Sequence, residues 1–283
     1  TSFISTNRDF IEIRQRKNMK CGISLLLVSI VTILSLTAYS FEASKPNGIS
    51  LDQEALLEKQ SPTQKMDLYL LIGQSNMAGR AKVLHTHQDT IPNCFLFNDQ
   101  GDWTPATNPL NRYSTVRKGL SMQKLGPGYS FAMKLNEVNP EQTIGLVVNA
   151  LGGSKIGSWQ KGQRLYQEAL SRIQAALAYG ELKAILWHQG EANCDDADYL
   201  VHLIQMISDF RRDLNRPYLP FIVGQINGEY PVNAQLMDLP NHLPFTACVS
   251  SAGLQTQDKW HFNSKGQILL GQRYATALQS MSE

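Results

Sequence analysis

Apolar segments alternate with stretches of helical periodicity along most of this chain, and this alternation restricts the fold more than any other feature. The apolar segments are typical of buried strands and begin at Asp67, Ile144, Leu182, Pro220 and Phe245. Helical spacing of apolar residues occupies the stretches 129–137, 163–179, 196–214 and 263–280. Strands that alternate with helices favour a parallel sheet, and such a sheet binds its ligands at the carboxyl ends of its strands.

A serine follows the first apolar segment almost at once. The segment ends at Gly73, Ser75 comes next but one, and the residues after it can begin a helix. This order places a hydroxyl group at the carboxyl end of a strand, where α/β enzymes carry their nucleophiles, although the G-x-S-x-G pattern of α/β hydrolases is absent. Ser75 could equally act only as the cap of the helix that follows.

An aspartate and a histidine lie three residues apart near the C-terminus, in Asp258-Lys-Trp-His261. A carboxylate at this spacing can hold the imidazole in one tautomer and leave its other nitrogen free to take a proton from Ser75. The alternative is a polar loop in which Asp258 caps a turn and His261 is solvated, because two-residue motifs recur by accident.

Two further predicted strands end in segments that suit the same chemistry. Gly152 and Gly153 follow the strand that begins at Ile144, and paired glycines let backbone amides approach a ligand closely, as an oxyanion hole requires. Gln189 and Glu191 follow the next strand, and the Gln189 side-chain amide is a second possible donor. In isolation, the glycines can merely turn the chain, and Gln189 and Glu191 can merely cap the next helix.

Together these segments resemble a known family. They are Gly73-Gln-Ser-Asn-Met77, Gly126-Pro-Gly-Tyr-Ser-Phe-Ala132, Gly152-Gly-Ser with Trp159, Trp187-His-Gln-Gly-Glu191, and Asp258 with His261. In this order they resemble the SGNH hydrolases, and within them the sialate O-acetylesterase and acetylxylan esterase branch, the family 6 carbohydrate esterases. The resemblance implies a three-layer α/β/α sandwich with a five-stranded parallel sheet, and hydrolysis of O-acetyl esters on carbohydrates without a metal or an organic cofactor.

The resemblance also implies a role for each matching residue. Ser75 corresponds to the nucleophile, His261 to the base and Asp258 to the acid that orients the base. The oxyanion hole corresponds to the Ser75 amide, Gly152 or Gly153, and Gln189. The supporting residues of the site correspond to Gln74, Asn76 and Glu191. Gln189 stands where the superfamily's name has an asparagine, and Glu191 could brace Gln189, brace the glycines, or compete with Asp258 for His261.

The N-terminus carries a targeting pattern. Basic residues precede an uncharged stretch from Cys21 to Phe41, and small residues in Ala38-Tyr-Ser40 suit a signal peptidase. We therefore predict a secretory signal in 1–40, a linker in 41–66 and an esterase domain in 67–283, so that the protein is secreted or periplasmic. An uncleaved membrane anchor is the alternative, since the stretch is long enough to span a bilayer.

Charge and cysteine content limit the possible partners. Residues 1–40 hold five of the 26 basic and two of the 24 acidic residues, so the remainder has a formal charge of −1 and no reason to bind nucleic acid through bulk charge. Cys94, Cys194 and Cys248 permit one disulfide in a secreted protein, in any pairing. No metal-ligand spacing occurs, and His85-Thr-His87 is predicted to be a polar loop.

The expected partner is an acetylated carbohydrate. Trp159 and Trp103 are candidate platforms for a sugar ring, with core or rim packing as the alternative. Arg112 and Arg117 could meet an acidic sugar or simply be solvated. Two other functions remain: a secreted carbohydrate-binding protein without catalysis, and a short-chain lipid or thioester hydrolase. The sequence does not indicate the oligomeric state.

Overall fold

A central parallel sheet organises the part of the chain that the structure, a computed structural model, describes, namely residues 65–281. Its strands are β1 (Met66–Gly73), β2 (Cys94–Phe97), β3 (Trp103–Pro105), β4 (Ile144–Ala150), β5 (Gly180–His188), β6 (Phe221–Gly224) and β7 (Thr246–Val249). They lie in the order β3-β2-β4-β1-β5-β6-β7. Every neighbouring pair is parallel except β2 and β3.

Helices cover the sheet on both sides. They are α1 (Ser75–Ala78), α2 (Gly128–Val138), α3 (Arg164–Ala176), α4 (Tyr199–Asp213), α5 (Pro231–His242) and α6 (Ser264–Ser280). Buried side chains of α3, α4 and α5 share one hydrophobic cluster, whereas those of α2 and α6 share another. Successive strand residues point to opposite faces, so Leu70 of β1 belongs to the first cluster and Leu71 to the second. The predicted three-layer α/β/α fold is therefore confirmed.

The strand count differs from the prediction, because the sheet has seven strands instead of five. The additional strands, β2 and β3, lie between the predicted strands that begin at Asp67 and Ile144, in a stretch for which the sequence predicted no strand or helix. They are only four and three residues long, which is too short for a period-2 pattern to stand out from the surrounding polar residues. Pro105 ends β3, which is an edge strand, where a missing amide donor is tolerated.

One helix, α5, was also not predicted. Pro231 stands at its first position and Pro240 lies inside it. A proline inside a helix removes one backbone hydrogen bond, so a helix over these residues is not favoured by local sequence alone. The structure nonetheless continues the helix to His242 and buries Val232, Leu236 and Leu239 against the sheet.

Three strand ends lie side by side at the centre of the sheet. Gly73 at the end of β1 pairs with Ala150 of β4 on one side and with His188 of β5 on the other. Gly73 has a φ of +134°, and a Cβ there would lie 2.2 Å from the His188 carbonyl oxygen, so no other residue fits. The loops that leave these three strands therefore begin within a few ångströms of one another.

The predicted signal in 1–40 and the predicted linker up to residue 64 lie outside the described residues, whereas Met66, the last residue assigned to the linker, already belongs to β1. Among residues 65–281, no helix is both long and apolar enough to cross a bilayer. Cys94, Cys194 and Cys248 are all free thiols.

Candidate active site

Ser75, His261 and Asp258 form a continuous hydrogen-bonded series at this edge of the sheet. The Ser75 Oγ lies 2.9 Å from His261 Nε2, and His261 Nδ1 lies 2.9 Å from Asp258 Oδ2. A carboxylate only accepts hydrogen bonds, so Nδ1 carries the proton and Nε2 is left to accept from the serine hydroxyl. This arrangement lets the imidazole remove a proton from Ser75.

Backbone amides of its own loop hold the Asp258 carboxylate in place. Asp258 Oδ1 accepts hydrogen bonds from the backbone amides of Trp260 at 2.8 Å and His261 at 2.7 Å. Burial alone would raise the pKa of the Asp258 carboxyl, but the hydrogen bonds from the His261 ring and from these two amides outweigh burial and hold that pKa below its usual value. The carboxylate therefore stays ionised opposite the imidazole.

Asn76 joins the serine segment to the histidine loop. Its buried side chain donates to the Trp260 carbonyl at 2.9 Å and accepts from the Phe262 amide at 3.1 Å, so it holds the backbone on both sides of His261. Its Oδ1 also accepts from Gln267 of α6 at 3.0 Å. The supporting role predicted for Asn76 thus has a physical basis: it sets the position of His261 relative to Ser75.

Glu191 contacts Asn76 and not His261. Its Oε1 accepts a 2.5 Å hydrogen bond from Asn76 Nδ2, while its Oε2 has no partner among the described residues. Burial raises the pKa of Glu191 to about 7, against the hydrogen bonds from its own backbone and from Asn76, which lower it. Because Asp258 occupies His261 Nδ1, Glu191 does not compete with Asp258 in this structure.

The neighbouring His188 is not an ion-pair partner of Glu191, although the two side chains lie 3.7 Å apart. Burial lowers the pKa of His188 to about 4, and a hydrogen bond to the Gln225 carbonyl opposes that shift only in part. The imidazole is therefore neutral at pH 7 and leaves the Glu191 carboxyl without a compensating charge.

Glu191→Gln is expected to change how stability depends on pH. Between about pH 4.5 and 7 the folded protein keeps a proton on Glu191 that the unfolded chain releases, so stability falls as pH rises through this window and stays lower above it. Glutamine cannot ionise but still accepts from Asn76. At pH 8 we expect the free energy of unfolding of the variant to exceed that of wild type by up to about 3 kcal/mol. At pH 5 we expect this difference to be much smaller. Denaturant unfolding at both pH values measures this, and an equal difference at both would contradict it.

The predicted glycine segment lies opposite Ser75. Gly152 is close enough to Ser75 that a Cβ on it would lie 3.6 Å from the Ser75 Cβ. Gly153 has a φ of +77°, a conformation that favours glycine. The amides of Gly152 and Gly153 donate no hydrogen bond within residues 65–281, and both glycines line a cavity of about 370 Å³. They are therefore available as donors to a ligand.

Gln189 does not reach this cavity, and the structure contradicts its predicted place in the oxyanion hole. Its Nε2 donates to the Ser154 carbonyl at 3.1 Å and to Asn193 Oδ1 at 2.8 Å, and the side chain is completely buried. Turning the amide over would set its oxygen against two other acceptors, so this orientation is fixed. Gln189 holds the glycine segment against the loop after β5 instead of facing a ligand.

The prediction that Trp159 and Trp103 are platforms for a sugar ring is also wrong. Trp159 is completely buried and Trp103 is 8% exposed, and both belong to a hydrophobic cluster. Trp159 donates to the Ser154 hydroxyl and packs edge-on against Trp187. The packing alternative that the sequence left open for these two residues is the correct one.

The cavity also contains residues that we did not predict. They are Arg80, Lys118, Met122, Ala192 and Trp260. Trp260 precedes His261, is partly exposed, and stacks on Tyr230 with ring centroids 5.2 Å apart. Its position inside the Asp258–His261 motif was a usable signal, because any residue there must lie beside the imidazole. Arg112 and Arg117 do not line the cavity.

The three-layer fold, with a serine, a histidine and an aspartate at the carboxyl edge of its sheet, defines a hydrolase of the SGNH type. Its loops carry the glycine pair after β4 and the Gln-Gly-Glu segment after β5, the two strands that flank β1. The chain belongs to the carbohydrate esterase, sialic acid-specific acetylesterase family, whose model matches residues 65–280. It is thus a carboxylic ester hydrolase.

Known proteins agree with this assignment. A probable carbohydrate esterase of Arabidopsis thaliana is 32% identical over 247 residues, which cover 79% of this chain and 94% of that protein. A crystal structure from the same Arabidopsis locus superimposes with a TM-score of 0.70 at 29% identity, over 77% of this chain and 99% of the other. The structure of NanS matches with a TM-score of 0.62 at 18% identity, over 78% and 98% of the two chains, which supports the fold.

Proposed function

We propose that this protein is a secreted serine esterase that removes O-acetyl groups from carbohydrates. The observation that carries the proposal is the hydrogen-bonded series from Ser75 through His261 to Asp258, which opens into a cavity beside unpaired glycine amides. Secretion rests on the targeting pattern of residues 1–40 and is tested separately, by the N-terminal sequence of the exported protein.

The reaction takes place in two acyl-transfer steps. Ser75 Oγ attacks the acetyl carbonyl while His261 Nε2 takes its proton, and the ionised Asp258 stabilises the resulting imidazolium. The intermediate then expels the sugar oxygen, which receives the proton from His261, and leaves an acetyl group on Ser75. Water then attacks the acetyl-enzyme in the same way: His261 takes one of its protons while the water oxygen bonds to the acetyl carbon. The bond from that carbon to Ser75 Oγ then breaks, Oγ receives the proton from His261, and the acetic acid leaves and ionises to acetate.

The carbohydrate is expected to lie against Trp260. This indole is the large aromatic side chain on the cavity wall, and it is held in place by stacking on Tyr230. An aromatic face packs well on the apolar face of a pyranose ring. The family's description favours O-acetyl sialate, whereas the probable carbohydrate esterase of Arabidopsis leaves the sugar open, so acetylated xylan is the second candidate.

The test is a comparison of substrates. We expect the purified protein to release acetate from O-acetyl sialate or acetylated xylan, and to hydrolyse p-nitrophenyl acetate faster than p-nitrophenyl octanoate. Faster hydrolysis of the octanoate would favour the lipid or thioester hydrolase instead. A folded protein that binds acetylated carbohydrate but releases no acetate from any of these esters would favour the binding protein, and the catalytic roles would be withdrawn.

A further inference from the structure

Arg80 projects from the turn after α1 into the cavity, where one of its nitrogens is anchored. Its Nη1 donates to the carbonyl oxygens of Gly79 at 2.7 Å and Met122 at 3.0 Å. These two bonds tie the guanidinium to the turn after α1 and to the loop that precedes α2. The group is therefore held in one place by the backbone and does not depend on a ligand for its position.

The other end of the guanidinium lies over Gly152. A Cβ on Gly152 would lie 2.4 Å from Arg80 Nη2 and 3.6 Å from the Ser75 Cβ, so Gly152 faces both groups at once. Any side chain at this position would displace the guanidinium. The absence of a side chain at Gly152 thus has a second consequence besides access to its amide: it lets a cation approach Ser75.

Arg80 has no acidic partner. No carboxylate lies within ion-pair distance of it among residues 65–281, and its Nη2 donates to no protein group there. Burial lowers the pKa of this guanidinium, but arginine stays charged at any physiological pH. A partly buried cation that faces an open cavity without a counter-ion is suited to receive negative charge from a ligand.

The oxyanion hole also lacks the donor that the family pattern implies. With the Gln189 amide occupied by Ser154 and Asn193, the remaining predicted donors are the backbone amides of Ser75, Gly152 and Gly153, whose residues line the cavity. We propose that Arg80 Nη2 takes the missing place and contacts the oxyanion that forms on the acetyl carbonyl. This inference rests on the proposed function and deepens it, because it assigns Arg80 as a catalytic residue of the same site.

Two other cavity residues fit this place less well. Lys118 lies over Gly153, with its Nζ 3.7 Å from the position of a Cβ there, and its side chain is exposed to solvent. Gln74 also lines the cavity, but its Oε1 accepts from the Ala192 amide at 3.3 Å, and its Nε2 would be a neutral donor. A charged donor gives about twice the hydrogen-bond strength of a neutral one, so Arg80 is the better match to a developing negative charge.

The contact is expected to stabilise the tetrahedral intermediate and the transition states on either side of it, because negative charge develops on the acetyl oxygen there and not in the bound ester. Arg80→Met should lower kcat for p-nitrophenyl acetate by about 10²- to 10³-fold while KM changes little, which is the effect of losing one oxyanion donor. Arg80→Lys keeps the positive charge but loses the planar guanidinium, so its kcat should lie between those of wild type and Arg80→Met.

A matched control is available in Arg112. It is also partly buried, and it anchors a loop through hydrogen bonds of its Nη2 to Thr107 O at 2.7 Å and Oγ1 at 2.6 Å, but it lies outside the cavity. Arg112→Met should therefore leave kcat within a few-fold of wild type. A loss in Arg112→Met as large as that in Arg80→Met would mean that loop anchoring explains both, and would overturn the proposal.

Two ester substrates of different charge separate the oxyanion role from recognition of an acidic sugar. The proposal requires equal losses in Arg80→Met with neutral p-nitrophenyl acetate and with O-acetyl sialate. A loss confined to the sialate would mean that Arg80 binds the sugar carboxylate, and unchanged turnover of both esters in the folded variant would mean that it has no catalytic role. Either outcome would overturn the assignment.

A binding measurement keeps the test independent of turnover. Methylphosphonate is a tetrahedral anion of the size of the acetyl-transfer intermediate, and its Kd can be measured by calorimetry. The proposal predicts at least ten-fold weaker binding to Arg80→Met than to wild type and to Arg112→Met. If wild type hydrolyses no ester yet shows this pattern, the proposed function fails while the anion site at Arg80 stands. Equal binding to all three proteins would overturn the site.

Discussion

Ser75→Ala is expected to reduce kcat for p-nitrophenyl acetate by a factor on the order of 10⁶. We expect the variant to keep the fold, because within residues 65–281 the Ser75 side chain makes a single hydrogen bond, to His261 Nε2, and alanine suits the first turn of a short helix. What it loses is the atom that forms the acyl-enzyme, so the two-step route is closed. Any residual rate would come from water bound near the oxyanion donors.

The measurement pairs steady-state rates with mass spectrometry of the quenched enzyme. Wild type should carry one acetyl group on the peptide that contains Ser75, and Ser75→Ala should carry none. Ser130→Ala is the matched control, because Ser130 is also a buried serine whose hydroxyl donates only to backbone carbonyls, at Pro127 and Gln267, and it lies outside the cavity. Ser75→Ala turnover within ten-fold of wild type would show that Ser75 is not the nucleophile.

The sequence was sufficient to predict the layers of the fold and the three residues of the hydrogen-bonded series. The central strands are long and apolar, and Gly73 ends the first of them with a conformation that only glycine adopts readily. Parallel strands bring their carboxyl ends to one edge, so Ser75 and the glycine pair had to lie near each other. His261 and Asp258 could be linked by their spacing alone, because both lie in one turn.

Contacts that depend on how distant loops approach each other could not be predicted. Gln189 was expected to face the ligand, but its side-chain amide donates instead to Asn193, four residues later. Trp159 and Trp103 were predicted as sugar platforms with packing as the alternative, and only their burial in one hydrophobic cluster decides for packing. Arg80 gave no signal in the sequence, because its contact with Gly152 forms only when two loops separated by about a third of the described residues meet.

Asp258→Asn is expected to cause the second large loss of kcat, and this loss tests whether Asp258 is the acid that orients His261. Asparagine keeps the shape of the side chain, but it offers either a neutral acceptor or an amide donor to His261 Nδ1. It therefore weakens the preference for the tautomer in which Nε2 accepts from Ser75, and no longer stabilises the imidazolium. The same change in a serine protease costs about 10⁴-fold in kcat, and we expect a loss of that order here.

The rival acid is Glu191, and the geometry predicts very different losses of kcat for Glu191→Gln and Asp258→Asn. Glu191→Gln still accepts from Asn76 and never touches the imidazole, so its kcat should fall by no more than about ten-fold, through a small displacement of the His261 loop. Asp238→Asn is the control for the substitution itself, because Asp238 also pairs with a histidine, His242, at 2.7 Å, and both side chains lie on the solvent-exposed side of α5. Its activity should match wild type. A loss near 10⁴-fold in Glu191→Gln with an active Asp258→Asn would reverse the assignment, and His261 would then have to turn towards Glu191 during the reaction.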